Sequence, residues 1–117
     1  MKVAPIKEET SFDVFEKLDI RVGTIESVED VEGADKLMCL KVNFGDHHRN
    51  IVAGIKQERD NPQEIEGMQA LFVVNLPPRK MKGILSEGMM FDIGYADGVQ
   101  PALSIPERAM PSGTRAG

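Results

Sequence analysis

Apolar and polar residues alternate over several short stretches of the chain, and this two-residue period predicts β-strands. The phase of the alternation slips after Gly23, which predicts a bulge that bends the first strand. Residues 103–105 can add one further short strand. The five main predicted strands cover residues 18–28, 38–44, 49–55, 69–75 and 88–93.

Two short helices are predicted outside these strands. Phe12, Phe15 and Leu18 recur at helical spacing, and Ser11 precedes them as a cap. Between the third and fourth strands, the pair at 61–62 (Asn-Pro) can begin a second helix, which Gly67 can end. Residues 1–11 are predicted to form a flexible arm, residues 12–117 the folded domain, and residues 111–117 its tail.

The order of these elements predicts an all-β fold. Five short strands, a bent first strand and a helix between strands three and four fit a Greek-key barrel of the oligonucleotide/oligosaccharide-binding (OB) type. A small barrel needs such a bend because its sheet must meet its own edge. A small open β-sandwich is the structural alternative.

The composition indicates one globular domain. A chain of 117 residues with 41% hydrophobic and 28% charged residues can bury a core without metal or disulfide support. No apolar run reaches the roughly 20 residues of a membrane helix, and the N-terminus lacks the apolar region of a secretory signal. Cys39 is the single cysteine, which fits a reducing compartment. We therefore expect a cytoplasmic protein with no membrane partner.

The charge is unevenly distributed along the chain. The formal net charge is -5, but residues 1–35 alone hold four Lys/Arg against ten Asp/Glu. Residues 36–117 hold ten Lys/Arg against nine Asp/Glu. The acidic excess therefore belongs to the first third, and a basic face elsewhere is compatible with the overall composition.

Positive charge is concentrated after the fourth predicted strand. Pro77 and Pro78 end that strand because neither donates a backbone hydrogen bond. Arg79, Lys80 and Lys82 follow within four positions. A cationic loop on an acidic protein indicates a local anion site.

Two further lysines extend this pattern. Lys36 lies in the turn after the first strand, and Lys56 ends the third strand. In an OB-type barrel the loops after strands one and four flank one binding face. Aromatic residues make up only 5% of the chain, and none lies among these cations. The sequence therefore favours phosphate contacts and shape recognition over base stacking.

Signals for catalysis or metal binding are weak. His47 and His48 are neighbours on a strand and should point to opposite faces, and no cysteine pair completes a metal site. The pair at 86–87 (Ser-Glu) lacks the surroundings of a catalytic nucleophile, and Gly-rich phosphate loops are absent. We expect no enzyme activity, no metal and no cofactor.

Four motifs, in this order, resemble the tRNA-binding domain family. They are the segments Phe15–Ile25, Ala34–Leu37 (Ala-Asp-Lys-Leu), Arg49–Ile55 and Asn75–Met89. The family includes free-standing structure-specific tRNA-binding proteins and the C-terminal domain of bacterial methionyl-tRNA synthetases. The resemblance covers roughly residues 12–105. It implies an OB barrel, usually a homodimer, that grips the outer corner of tRNA without reading the anticodon.

The resemblance also implies roles for individual residues. Ser86 would be a hydrogen-bond partner of the RNA, Met89 an apolar contact, and Asn75 the residue that orients the loop. Asp92 stands where the family usually has a small or apolar residue. The predicted RNA-binding set, to which Lys56 is added from its position, is Lys36, Lys56, Asn75, Arg79, Lys80, Lys82, Ser86 and Met89.

Two other functions are kept as alternatives. Export-associated chaperone-like relatives share the paired prolines and the Ser-Glu at 86–87, so unfolded polypeptide is a possible ligand. A protein-interaction or assembly module for a methionyl-tRNA synthetase is the other alternative. The expected partners are tRNA, a second copy of the chain and such a synthetase. Since the chain starts at Met1 without a catalytic signature, we expect a free protein or a subunit acting in trans.

Overall fold

Ten strands and three short helices make up the fold, and the structure, a computed structural model, describes all residues from 1 to 117. The helices are α1 (Phe12–Glu16) and two 3₁₀ helices, Pro62–Ile65 and Tyr95–Asp97. The first five strands are β1 (Ile20–Asp30), β2 (Met38–Asn43), β3 (His48–Ala53), β4 (Gln69–Val73) and β5 (Arg79–Met81). The others are β6 (Ile84–Ser86), β7 (Met89–Met90), β8 (Asp92–Ile93), β9 (Ala102–Leu103) and β10 (Arg115–Ala116).

The main sheet is an antiparallel barrel with the order β3-β2-β1-β4-β7. Hydrogen bonds between β3 and the segment after β6 bring its two ends together, because the Glu87 N–H donates to the Asn50 carbonyl at 2.9 Å. The result is a nearly closed five-stranded barrel, which confirms the predicted OB architecture over the open sandwich. None of the helices has the length and apolar character that crossing a membrane requires.

The long first strand bends as predicted, but its bulge lies elsewhere. Its register against β2 shifts between Ile25 and Ser27, not at Gly23. Gly23 is a site of close approach instead, since a Cβ there would lie 2.4 Å from Val42 Cγ1. The backbone at Gly23 packs directly against β2, and this closeness needs a residue without a side chain.

The core follows the predicted alternation. Met38, Leu40, Val42 and Phe44 are all buried on one side of β2 and its end. Phe44 and Phe72 meet edge to face, with ring centroids 5.6 Å apart, a favoured arrangement of aromatic rings. The main core comprises Ile25, Val28, Met38, Leu40, Val42, Phe44, Ile51, Ile55, Ile65, Ala70, Phe72, Val74, Met90 and Leu103.

Both predicted helices form where expected. The Ser11 hydroxyl accepts the Val14 N–H at 3.3 Å and caps α1. The Asn61 side chain accepts the Gln63 N–H and caps the second helix, which is 3₁₀ rather than α. Residues 1–11 are exposed and carry no helix or strand.

The C-terminal third departs from the prediction. The expected strand at 88–93 is interrupted at Phe91, and its second half, β8, pairs with β9. The expected tail instead forms β10, which pairs with the start of β1. Because β2 pairs with β1 only from Thr24 onward, Ile20 and Arg21 have a free edge that β10 occupies.

Candidate nucleic-acid interface

The cationic loop after β4 is a β-hairpin, formed by β5 and β6. Its two-residue turn has positive φ at both positions, 49° at Lys82 and 82° at Gly83. This is the pattern of a type I′ turn, whose twist matches that of the flanking strands. The hairpin therefore holds Lys82 at a defined tip of the predicted cationic loop.

A second apolar cluster fastens this hairpin to the barrel. Met81 and Ile84, which face each other across the hairpin, pack against buried Val52 of β3. The same cluster contains Ala34 and Leu37, the residues on either side of the 35–36 pair in the turn after β1. Packing thus brings the two cationic loops to one side of the molecule, as the barrel topology had predicted.

The turn carrying Lys36 is also tied to Lys56. The Lys56 N–H donates to the Lys36 carbonyl at 3.1 Å, and the Gln57 side chain donates to the Asp35 carbonyl at 3.2 Å. The Lys56 ammonium lies 3.1 Å from an Asp30 carboxylate oxygen. Lys56 is therefore close to Lys36, but its charge is already paired within the protein.

Four exposed cations on this side have no ion-pair partner in the structure. We call them the basic surface: Lys36, Arg79, Lys80 and Lys82. An unpaired, solvated cation can bind a phosphate without first breaking an internal ion pair. The four cations of the basic surface are consequently free to meet an anionic ligand.

Ser86 and Met89, at the return of the hairpin, have different surroundings. The Ser86 side chain is 4% exposed, accepts the Val52 N–H at 2.9 Å and donates to the Gly88 carbonyl at 3.3 Å. Both bonds are internal, so Ser86 positions the return of the hairpin, and its expected hydrogen bond to RNA stays a prediction. Met89 is 46% exposed and remains accessible to a ligand.

Asn75 lies shortly after β4, at the start of the segment that leads to the hairpin. Its side-chain oxygen accepts the Asp19 N–H at 2.8 Å, and its side-chain nitrogen donates to the Lys17 carbonyl at 2.6 Å. These two bonds join the end of α1 and the start of β1 to the exit from β4. Asn75 thereby fixes the chain just before the two prolines.

Arg49 is a positioning residue that sequence reasoning missed. Its guanidinium donates to the Val74 carbonyl at 2.5 Å and to the Glu87 carbonyl at 2.9 Å. Val74 directly follows β4 and Glu87 directly follows β6, so Arg49 clamps both ends of the segment that contains the hairpin. The contacts join residues 25 and 38 positions apart, and no local pattern reveals them.

A separate charged cluster lies at the start of β1. The Arg21 guanidinium contacts both Asp19 carboxylate oxygens at 3.0 Å, and Arg115 lies 3.6 Å from one of them. The hydrogen bond from Arg21 lowers the pKa of Asp19 and raises the pKa of Arg21. This cluster borders a cleft of about 300 Å³. Its charges are paired with one another, so it is a weaker anion site than the basic surface.

The two histidines and the cysteine each have separate surroundings. His47 lies 2.6 Å from Asp46, where its hydrogen bond lowers the pKa of that carboxyl, and His48 lies 2.8 Å from Glu26. The two rings thus use different carboxylates. Burial, followed by the nearby charge of Glu29, raises the pKa of the Cys39 thiol, which keeps it protonated and poorly nucleophilic.

Residues 20–115 match the model of the tRNA binding domain family. The chain belongs to this family. The matched range includes the barrel, the second apolar cluster and the whole basic surface, and it confirms the resemblance carried by the four motifs. The family is defined by binding rather than by catalysis.

Three relatives show how widely the domain is used. The methionine–tRNA ligase of Parabacteroides distasonis is 44% identical over 113 residues, which are 97% of this chain but only 16% of the ligase. A MetRS-related protein from Pyrococcus horikoshii is 34% identical with a TM-score of 0.86, covering 95% of this chain and 100% of that protein. The chaperone CsaA from Bacillus anthracis is 29% identical with a TM-score of 0.82, covering 94% and 100%.

Proposed function

We propose that this chain is a non-catalytic tRNA-binding protein that recognises the outer corner of tRNA by shape and phosphate contacts, as a cytoplasmic homodimer. The observation that carries the proposal is the second apolar cluster, which holds two loops with unpaired cations on one side of the barrel. A domain of the tRNA binding family with such a surface has both the fold and the charge for an RNA backbone.

The residues divide into contacts and supports. Lys36 and the three hairpin cations would meet phosphates, and Met89 would make an apolar contact beside them. Lys56 would join them only by exchanging Asp30 for a phosphate, since its ammonium is paired at 3.1 Å. Asn75 and Ser86 would hold the hairpin in place.

The salt dependence of binding tests the phosphate contacts. With about four phosphates neutralised per protomer, the plot of log affinity against log salt should have a slope of roughly -3 to -4, at about 0.9 per phosphate. Filter binding with bulk tRNA between low and moderate salt would measure it. A slope near zero, or equal competition by single-stranded DNA of the same length, would contradict phosphate contacts guided by shape.

The homodimer should use the exposed face of α1. Phe12 and Phe15 on α1 are 68% and 43% exposed, and Leu18, two residues after the helix, is 44% exposed. Three exposed large apolar side chains so close together indicate an interaction surface. The C-terminal segment contributes only Ile105 to such a surface, because Leu103 is 9% exposed and belongs to the core.

Sedimentation should therefore give a particle of about twice 12.9 kDa. Phe12→Glu with Phe15→Glu should convert it to a monomer, because two buried charges would oppose association. Ile6→Glu, in the exposed arm, is the matched control and should leave the dimer intact. A wild-type monomer at micromolar concentration would refute the dimer and remove the avidity that two RNA-binding surfaces supply.

A methionyl-tRNA synthetase is the proposed protein partner, because the similar ligase carries this domain within a longer chain. Unfolded polypeptide is the second candidate ligand, supported by the likeness to the chaperone CsaA. Parallel binding assays with bulk tRNA and with an unfolded polypeptide separate the two. Retention of polypeptide but not of tRNA at low salt would favour the chaperone function.

A further inference from the structure

Two partly buried carboxyl groups lie within hydrogen-bonding reach of each other, Glu58 in the turn after β3 and Asp92 in strand β8. The Glu58 side chain is 8% exposed, and its Oε1 atom has no hydrogen-bond donor. Asp92 contributes a second buried oxygen, Oδ1, that also lacks a donor.

The surroundings neutralise these two groups only in part. The nearest cation is Arg59 from the same turn, whose Nη1 lies 3.9 Å from Glu58 Oε1, within ion-pair range but beyond hydrogen-bond distance, and itself has no hydrogen-bond partner. The Nε atom of Arg59 is 3.4 Å from Glu64 of the first 3₁₀ helix. Lys56, two residues before Glu58, is paired with Asp30. A single distant guanidinium therefore serves two buried carboxyls.

A proton satisfies this geometry better than a metal ion. Two carboxylates are both acceptors, so they can hydrogen-bond only when one of them is protonated. A cation site would place a metal beside Arg59, and the structure has no group of three or more acidic, histidine or cysteine side chains that could hold one. One shared proton would therefore give both carboxyl oxygens a partner, while Arg59 Nη1, the third buried atom without one, stays 3.9 Å from Glu58.

We propose that Glu58 and Asp92 share one proton and form a pH-sensitive latch between the turn after β3 and the β8–β9 pair. Burial, followed by the hydrogen bond and the charge of Asp92, raises the pKa of Glu58 from 4.5 to about 7, against the opposing charge of Arg59. Near neutral pH the latch therefore passes between a hydrogen-bonded state and a state with two repelling carboxylates.

The latch controls a turn that also supports the basic surface. The Gln100 side chain donates to the Glu58 carbonyl and adds a second connection to the C-terminal segment. In the same turn, Lys56 and Gln57 hold the backbone of Asp35 and Lys36. Opening of the latch would loosen the backbone support of Lys36. The resulting change in RNA binding rests on the proposed function.

The sign of the pH effect follows from the raised pKa. Between pH 4.5 and about 7 the folded protein retains a proton that the unfolded chain has lost. Folding stability should therefore fall as the pH rises through this window and level off above it. Asp19 has a lowered pKa, so its own contribution is lost only in more acidic solution.

The experiment compares urea unfolding of the whole chain at pH 5 and pH 8. From pH 5 to pH 8 the folding equilibrium constant of the wild type should fall by roughly 10- to 100-fold. Glu58→Gln should not show this fall, because its amide donates to Asp92 without needing a proton. Asp92→Asn should remove the same pH dependence. Glu64→Gln, which changes the other carboxylate near Arg59, is the matched control and should keep the wild-type dependence.

A carboxyl NMR titration of Glu58 provides a direct second measurement and should give a midpoint near 7. A midpoint near the ordinary 4.5 would overturn the proposal, even if a variant failed to fold. An unchanged pH dependence in both latch variants would overturn it as well. Neither measurement contains RNA, so these outcomes are independent of whether the protein binds tRNA.

Discussion

Lys36, Arg79 and Lys82, replaced together by alanine, are expected to weaken tRNA binding by at least about 100-fold, which is roughly 3 kcal/mol. Each side chain should contribute about 1–2 kcal/mol through a charge-assisted hydrogen bond to a phosphate. The three cations are exposed and unpaired in the free protein, so no internal contact is lost when they are removed. Filter binding or fluorescence anisotropy at low salt measures the effect.

Two controls separate a local site from a general effect of charge. Arg108→Ala also removes an exposed positive charge, at a side chain that is 74% exposed and paired only with Glu107; it should leave tRNA affinity nearly unchanged. His47→Ala should likewise have no effect. The free energy of unfolding of all these variants should lie within about 0.5 kcal/mol of the wild-type value, as is usual for exposed substitutions.

The opposite result would be equally informative. Full binding by the triple variant would show that the basic surface is not the site. The cleft near Asp19 and Arg21 would then be the next place to test, through Arg21→Ala. Loss of binding in the single variants Lys36→Ala and Arg79→Ala, each smaller than in the triple variant, would show that the turn and the hairpin act on the same ligand.

Local patterns were sufficient to predict the barrel strands, because burial in a barrel alternates along each strand. In β2, Met38, Leu40 and Val42 are buried while Lys41 is exposed, and this contrast is visible in the sequence. β10 was not predictable in this way. It forms because β1, which is distant in sequence, leaves an edge free. A strand of two residues is also too short to show an alternating pattern.

The placement of the candidate site residues in the fold could be predicted in part, and that the site binds RNA stays a prediction. Lys36 and the hairpin cations are visible as charges within turn sequences, and their placement followed from barrel topology. The burial of Ser86 and the clamp made by Arg49 depend on residues 25 or more positions away. The second apolar cluster is equally long-range, since it joins Val52 to Met81 and Ile84.

At Gly23 the sequence pattern correctly indicated that a glycine is needed, but the reason is close packing and not a bulge. The phase slip after Gly23 suggested a bulge, but the register shift lies between Ile25 and Ser27. Burial of both Val22 and Gly23 changes the phase. A side chain at position 23 would collide with the core, so its absence allows β1 to lie against β2.

Gly23→Ala is therefore expected to destabilise the fold by about 3 kcal/mol, at the upper end for overpacking of a core. The new Cβ would lie 2.4 Å from Val42 Cγ1 and 2.8 Å from Phe44 Cε1, and both partners are buried, so neither can move without disturbing the barrel. Thermal unfolding should show a melting temperature lower by more than about 10 °C.

Gly54→Ala is the matched control, because a Cβ there would meet nothing closer than the Lys36 carbonyl at 3.9 Å and the residue has no positive φ. It should be neutral or stabilising by up to about 1 kcal/mol, through a less flexible unfolded chain. Equal effects from both substitutions would indicate a general cost of replacing glycine. A large loss at Gly23 alone would show that the contact between β1 and β2 depends on the missing side chain.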